Sequence, residues 1–232
     1  MLRKTVDLEG YAIATTDDGV LGKIKDFYFD DKSWVIRYLV VETGAWFASH
    51  KVLISPIALG NIDEANGDIH ASLTQEQVRN SPSIDSDKPV SRQHEVAYFS
   101  YFGYPYYWGG ADIWGSSPTP NALMENDTMQ SEPSSETEPT ENNDPHLRSC
   151  HAVKGYHLHA TDGDIGHVTG YLVSDKTWAI RYLIVNTSLW WHGHEVLIPI
   201  SWIDSVNWGN STVAVNVSRQ TIKDAPTSVT EQ

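Results

Sequence analysis

Histidine, cysteine and arginine are the residue types through which this 232-residue chain could do chemistry. His157-x-His159 and His192-x-His194 each set two imidazoles two residues apart. On a strand such neighbours share a face, so each pair offers two ligands to a zinc or nickel ion. No cysteine or third ligand accompanies either pair at a recognisable spacing, so surface imidazoles are the plainer reading and no metal site is expected. Cys150-His151 sets a thiol beside a base, yet catalytic partners meet in space and rarely sit side by side in sequence. The chain shows no nucleophile and base at a recognisable spacing and no glycine-rich phosphate loop. It is expected not to be an enzyme and to carry no cofactor. Arg37 and Arg181 stand inside otherwise apolar stretches. A guanidinium there needs a carboxylate or several carbonyls, with the turn residues Asp30 and Asp175 as candidates. Their recurrence points to a structural role, and docking anchors are the alternative.

The elements that must position these residues come in two copies. Trp34-Val-Ile-Arg-Tyr-Leu-Val-Val-Glu-Thr43 returns 144 positions later as Trp178-Ala-Ile-Arg-Tyr-Leu-Ile-Val-Asn-Thr187. As far as Val41 and Val185, and apart from Arg37 and Arg181, each copy is apolar or aromatic on both faces, which predicts a central, covered β-strand. Tyr38 and Tyr182 belong to it, and the matched pairs Trp34 with Trp178 and Trp46 with Trp190 read as residues capping a core.

Around that strand the first copy predicts a strand at 11–15, a Thr16-Asp-Asp-Gly19 turn and a strand over 22–29. A short loop, Asp30-Asp-Lys-Ser33, leads into the organising strand as it would between antiparallel neighbours. Lys51-Val-Leu-Ile54 and two brief strands about Asn66-Gly67 follow. Thr74 and Gln77 have the spacing of a capping box at the start of a short helix that Pro82 ends. The second copy matches at Gly155, Thr161-Asp-Gly-Asp164, Asp175, Val196-Leu-Ile198, Asn210, Ser218 and Pro226. The expectation is an all-β protein of two small antiparallel β-barrels, each followed by a short helix. Their limits read as residues 1–86 and 146–228.

Residues 87–145 belong to neither copy. Tyr98 to Trp114, within a strap read as 98–115, is crowded with aromatics and punctuated by Gly103, Pro105, Gly109 and Gly110. Tyr and Trp offer large contact area at low rotamer cost. Tyr104, Tyr106, Tyr107, Trp108 and Trp114 are therefore candidates for contact with a protein partner or a second copy. Folding back over its own barrels is the strap's other reading, since a bare aromatic patch invites aggregation. Residues 116–144 are rich in Ser, Thr, Pro, Glu and Asn and read as a disordered acidic tether. No Lys or Arg lies between Thr119 and Pro145, where seven acidic residues supply half of the formal net charge of −14. That charge argues against a nucleic-acid partner. A single cysteine excludes an intramolecular disulfide and fits a reducing cytoplasm. No signal peptide or membrane span is visible.

Gly22, Asp30-Asp31, Ile36-Arg-Tyr-Leu-Val-Val41, Trp46 and Val52-Leu-Ile54 resemble the PRC-barrel family. Gly166, Asp175, Ile180-Arg-Tyr-Leu-Ile-Val185, Trp190 and Val196-Leu-Ile-Pro199 carry the same marks. The family includes the cytoplasmic part of the photosynthetic reaction-centre H subunit, the C-terminal domain of a ribosome-maturation factor, and many bacterial and archaeal stand-alone proteins. The resemblance implies PRC-type barrels and a non-catalytic adaptor that docks onto a protein partner or self-associates. The alternative function is a metal-binding or small-ligand sensor using the histidine pairs or a cleft between the barrels.

Overall fold

A computed structural model describes residues 1–82, 90–125, 146–187 and 194–228. The first repeat contributes β1 (Leu2–Lys4), α1 (Thr5–Leu8), β2 (Ala12–Ala14), β3 (Val20–Asp30), β4 (Val35–Thr43), β5 (Lys51–Ile54), β6 (Leu59–Asp63), β7 (Asp68–Ala71) and α2 (Gln75–Arg79). Two helices follow, α3 (Arg92–Phe102) and α4 (Pro120–Glu125). The second repeat contributes β8 (Leu147–Ser149), α5 (Cys150–Val153), β9 (His157–Ala160), β10 (Gly163–Ser174), β11 (Ile180–Asn186), β12 (Glu195–Pro199), β13 (Ile203–Asn207), β14 (Thr212–Val215) and α6 (Arg219–Lys223).

The fold is all-β, and the internal repeat reappears as two sheets of the same strand order. One runs β5-β4-β3-β2-β7-β6 and the other β12-β11-β10-β9-β14-β13. In two respects they differ from antiparallel barrels. Among the described residues each contains one parallel pair, β2 with β7 and β9 with β14, and neither strand path is closed by hydrogen bonds. The terminal helices start as expected. Thr74 accepts from the Gln77 N–H at 3.1 Å while Gln77 accepts from the Thr74 N–H at 2.8 Å, satisfying two donors that the first helical turn leaves without partners. In the other repeat Ser218 accepts from the Thr221 N–H at 3.2 Å. A turn carboxylate adds a second cap in each case, Asp17 to the Gln75 N–H and Asp162 to the Arg219 N–H.

Gly22 and Gly166 are required by packing. Their φ angles are +158° and +141°, and a Cβ would stand 2.0 Å from the Glu42 carbonyl oxygen or 2.1 Å from that of Asn186. Only a residue without a side chain lets the neighbouring strand come so close.

The seventh strand of each sheet comes from the other repeat. β1 pairs with β10 and β8 pairs with β3, each lengthening the edge beside a long strand. One compact unit is therefore Met1–Asp7, Ser149–Asp175 and Ala179–Gln232, and the other is Leu8–Arg148 with Lys176–Trp178. The repeats read from the sequence at 1–86 and 146–228 do not coincide with these units. A three-residue arm has too little pattern of its own to announce where it pairs.

β4 is buried on both faces, apart from Glu42, as a covered central strand must be. β11 is not, because Arg181 is exposed and Tyr182 half-buried. Trp34 and Trp178 precede their strands. Both are buried, at φ +55° and +56°, a left-handed conformation rare for bulky residues. Its recurrence marks the same tight turn, with the Trp34 N–H bonded to the Asp30 carbonyl at 2.8 Å and its ring stacked on Phe29.

Candidate protein-docking surface

The strap is built on α3, a helix the sequence reading passed over. Ser91 accepts from the His94 N–H at its start, and Gly103 at φ +67° ends it. Those two residues are the signals that locate it, a serine N-cap and a C-terminal glycine. Glu95, Tyr98 and Phe99 lie three and four residues apart, hence on one face, and all three are buried. Tyr98 lies edge-on to Tyr38 of β4. Its hydroxyl accepts from the Ser55 N–H at 3.1 Å and donates to the Leu53 carbonyl at 3.2 Å. It thereby satisfies backbone groups on the outer side of β5, where an edge strand otherwise leaves them open. Burial holds this phenol well above its ordinary pKa.

Beneath the strap lies a carboxylate with no exposed surface. Glu95 Oε1 accepts from the hydroxyls of Tyr38, at 3.1 Å, and Tyr107, at 2.5 Å. Oε2 has His146 Nε2 at 2.9 Å and an Arg92 guanidinium nitrogen at 3.0 Å. Neither nitrogen is aligned for a hydrogen bond with Oε2, and the Arg92 guanidinium is the permanent positive charge beside it. A buried carboxylate costs several kcal/mol unless paired in this way. Desolvation, followed by the neighbouring Glu95 charge, pushes the Tyr38 and Tyr107 phenols well above their ordinary range.

Arg37 points into the same cluster and does not pair with Asp30, the partner considered from the sequence. Asp30 instead accepts from the N–H groups of Lys32 and Ser33, both at 2.9 Å, and closes its own turn. The Arg37 guanidinium donates to the Ile113 carbonyl at 2.7 Å and to Ser33 Oγ at 3.2 Å. It lies 3.9 Å over the Tyr107 ring and 4.7 Å over Trp114. Burial lowers its pKa from the ordinary arginine value, and the aromatic faces give the retained cation a partner. Among the described residues Arg181 lies in no such cluster, and Asp175 pairs with Arg3.

The five strap residues separate into two groups. Tyr107 and Trp114 are internal anchors, 4% and 0% exposed, and Trp114 Nε1 donates to the Thr177 carbonyl at 2.8 Å. Tyr104, Tyr106 and Trp108 are half-buried, as is Phe102. Phe102 stacks on Tyr104, Tyr106 stacks on Trp108, and the Arg92 guanidinium lies 4.2 Å over Trp108. The strap thus folds back onto the first repeat and leaves two stacked pairs of rings partly accessible, the Tyr104 hydroxyl being buried. Order continues past residue 116, where the acidic tether was read to begin. Ser117 and Leu123 are buried, the latter in α4, and residues 126–144 of that segment lie outside the described residues.

Among the described residues the histidine candidates form no metal-holding cluster. His157 and His159 share an exposed face of β9, but His159 Nδ1 is taken by Asp164 at 2.5 Å. His194 lies before β12 and is exposed, while His192 and Trp190 fall outside the described residues. Among the described residues no three of His, Cys, Asp and Glu are grouped to hold a metal ion. Trp46 begins no strand, its backbone lying in a short 3-10 turn at Ala45–Phe47. Glu95, Arg92 and His146 were missed by sequence reading. One signal was available, a Glu three residues from an Arg at the entrance of an aromatic run.

Residues 3–78 match the model of the PRC-barrel domain. The chain carries a PRC-barrel domain. The match begins in the arm β1, and the second repeat reproduces the strand order of this domain. A stretch of 73 residues is also 32% identical to an uncharacterised protein of Deinococcus radiodurans, covering 32% of this chain and 26% of that one. The chain thus spans about a quarter of the length of this curated relative. No helix among the described residues is long and apolar enough to cross a membrane.

Proposed function

We propose that this tandem PRC-barrel protein is a non-catalytic, cytoplasmic adaptor that docks a protein partner on the aromatic strap of its first repeat. The observation carrying this reading is the division of the strap. Tyr107, Trp114 and Glu95 fix it from within, and Tyr104, Tyr106 and Trp108 hold stacked rings at the surface. Rigid aromatic groups lose little entropy on binding and serve as interface anchors. The PRC-barrel domain supports an interaction role, and the single cysteine supports the reducing compartment.

The test separates outer rings from inner ones. A photo-crosslinking phenylalanine analogue at position 106 should give one protein adduct of defined mass in cells. Tyr104→Ser with Trp108→Ser should abolish it while the melting temperature stays within a few degrees. An adduct that survives loss of both rings would sink the docking reading.

A further inference from the structure

The two exchanged arms share a strand pairing, a backbone hydrogen bond and an Arg–Asp pair, and the first adds the Met1 ammonium, 2.9 Å from Asp175 Oδ1. β1 runs antiparallel along Leu172–Ser174, and the Asp175 N–H donates to the Met1 carbonyl at 3.2 Å. At the matching place in the other unit β8 joins β3, and the Asp31 N–H donates to the His146 carbonyl at 2.9 Å. Arg3 Nε meets Asp175 Oδ2 at 3.2 Å, and Arg148 Nε meets Asp31 Oδ2 at 2.9 Å. The four side chains are only 13–22% exposed. Leu2-Arg3 and Leu147-Arg148 are equivalent in the repeat, as are Asp31 and Asp175. The clasp therefore occurs twice: an apolar-Arg arm, and an acceptor made of a strand edge and a turn aspartate.

We propose that this clasp is a self-recognition site whose partner is a second copy of the chain. The first repeat of one copy would pair with the second repeat of the other, both arms being exchanged in trans. Nothing in either contact depends on which chain supplies the arm, because donor and acceptor already belong to different repeats. Covalent continuity enters only as an effective concentration, on the order of millimolar for modules tethered on one chain. A swapped dimer forms by the same contacts that close the single chain, which makes it a low-cost route to association. This deepens the adaptor reading by giving its self-associating form. It rests on that reading only for its purpose and does not use the strap.

Complementary charge reversal tests it with full-length chains. One variant carries Arg3→Asp and Asp31→Arg; the other carries Arg148→Asp and Asp175→Arg. In each alone both clasps set like charges together. Refolded as an equimolar mixture, they can match every clasp only by exchanging repeats between chains. Light scattering after gel filtration should give the mass of two chains for the mixture and of one chain for each variant alone, with each variant melting several degrees below the parent. The chain with all four reversals, its clasps matched again, should recover the parent's own mass distribution and come near to the parental melting temperature. A mixture that stays at one-chain mass overturns the proposal. So do single variants that melt like the parent, or a fourfold chain that does not recover. Repeating the mixing with Tyr106→Ser and Trp108→Ser added should leave the exchange intact, so failure of the strap reading and failure of this one give different results.

Discussion

The two repeats have one strand order and one clasp but different covers. In the first, α3 lies against β4 and β5, Arg37 is enclosed by aromatic rings, and a tyrosine hydroxyl satisfies the outer edge of β5. In the second, Arg181 is exposed, and the outer edge of β12 is met by a backbone carbonyl, that of Pro226, which accepts from the Leu197 N–H at 2.8 Å. Duplication kept the frame and specialised one face. A residue's role in such a chain is set by what covers it, so equivalent positions need not be equivalent in energy.

The largest expected effect falls on the buried carboxylate, which has no counterpart among the described residues of the second unit. Glu95→Ala strands two hydroxyls and leaves Arg92 and His146 without their anion. It should cost about 3–5 kcal/mol, read from the urea midpoint, and a loss under about 1 kcal/mol would show that the cluster is not what fixes the strap. Gly22→Ala and Gly166→Ala test the shared frame. Each forces a methyl into a neighbouring carbonyl, and each should cost about 3 kcal/mol; unequal costs would mean that the frames also differ.

Next comes the edge comparison. Tyr98→Phe removes one hydroxyl from two backbone partners and should cost about 2 kcal/mol. Pro226→Ala keeps the carbonyl and should stay within about 0.5 kcal/mol. The arginine pair sharpens the contrast further, since Arg37→Met should destabilise measurably in a thermal melt while Arg181→Met should be close to neutral. The smallest effect is one on which the repeats should agree. Asp17 has its pKa lowered first by the Thr15 hydroxyl, and Asp162 first by the Arg219 N–H. A carboxylate depressed on folding contributes stability above its unfolded pKa and loses it as the pH falls through the folded one. Asp17→Asn and Asp162→Asn should therefore each flatten the acid limb of stability below about pH 4.

Local signals in the sequence were legible where they act locally. Asn66-Gly67 turns β6 into β7, with Gly67 at φ +68°, because a hairpin turn depends on the residues within it. Thr74 and Gln77 formed their capping box for the same reason. The strap residues were visible as a group, but their division into inner and outer rings was not, since Tyr106 and Tyr107 are chemically alike and neighbours in sequence. Arg37 and Arg181 occupy the same motif and read alike. Only the presence of α3 and Trp114 over one of them separates a caged cation from a solvated one.

What the sequence determined by itself is the all-β class, the duplication, the turns and the helix caps, because propensity, alternation and capping act over a few residues. The tertiary structure alone decided the exchange of β1 and β8, the partners of Arg37 and the burial of Glu95. Those depend on which distant segments share a sheet edge or a low-dielectric interior, where an ion needs partners whatever their separation in the chain.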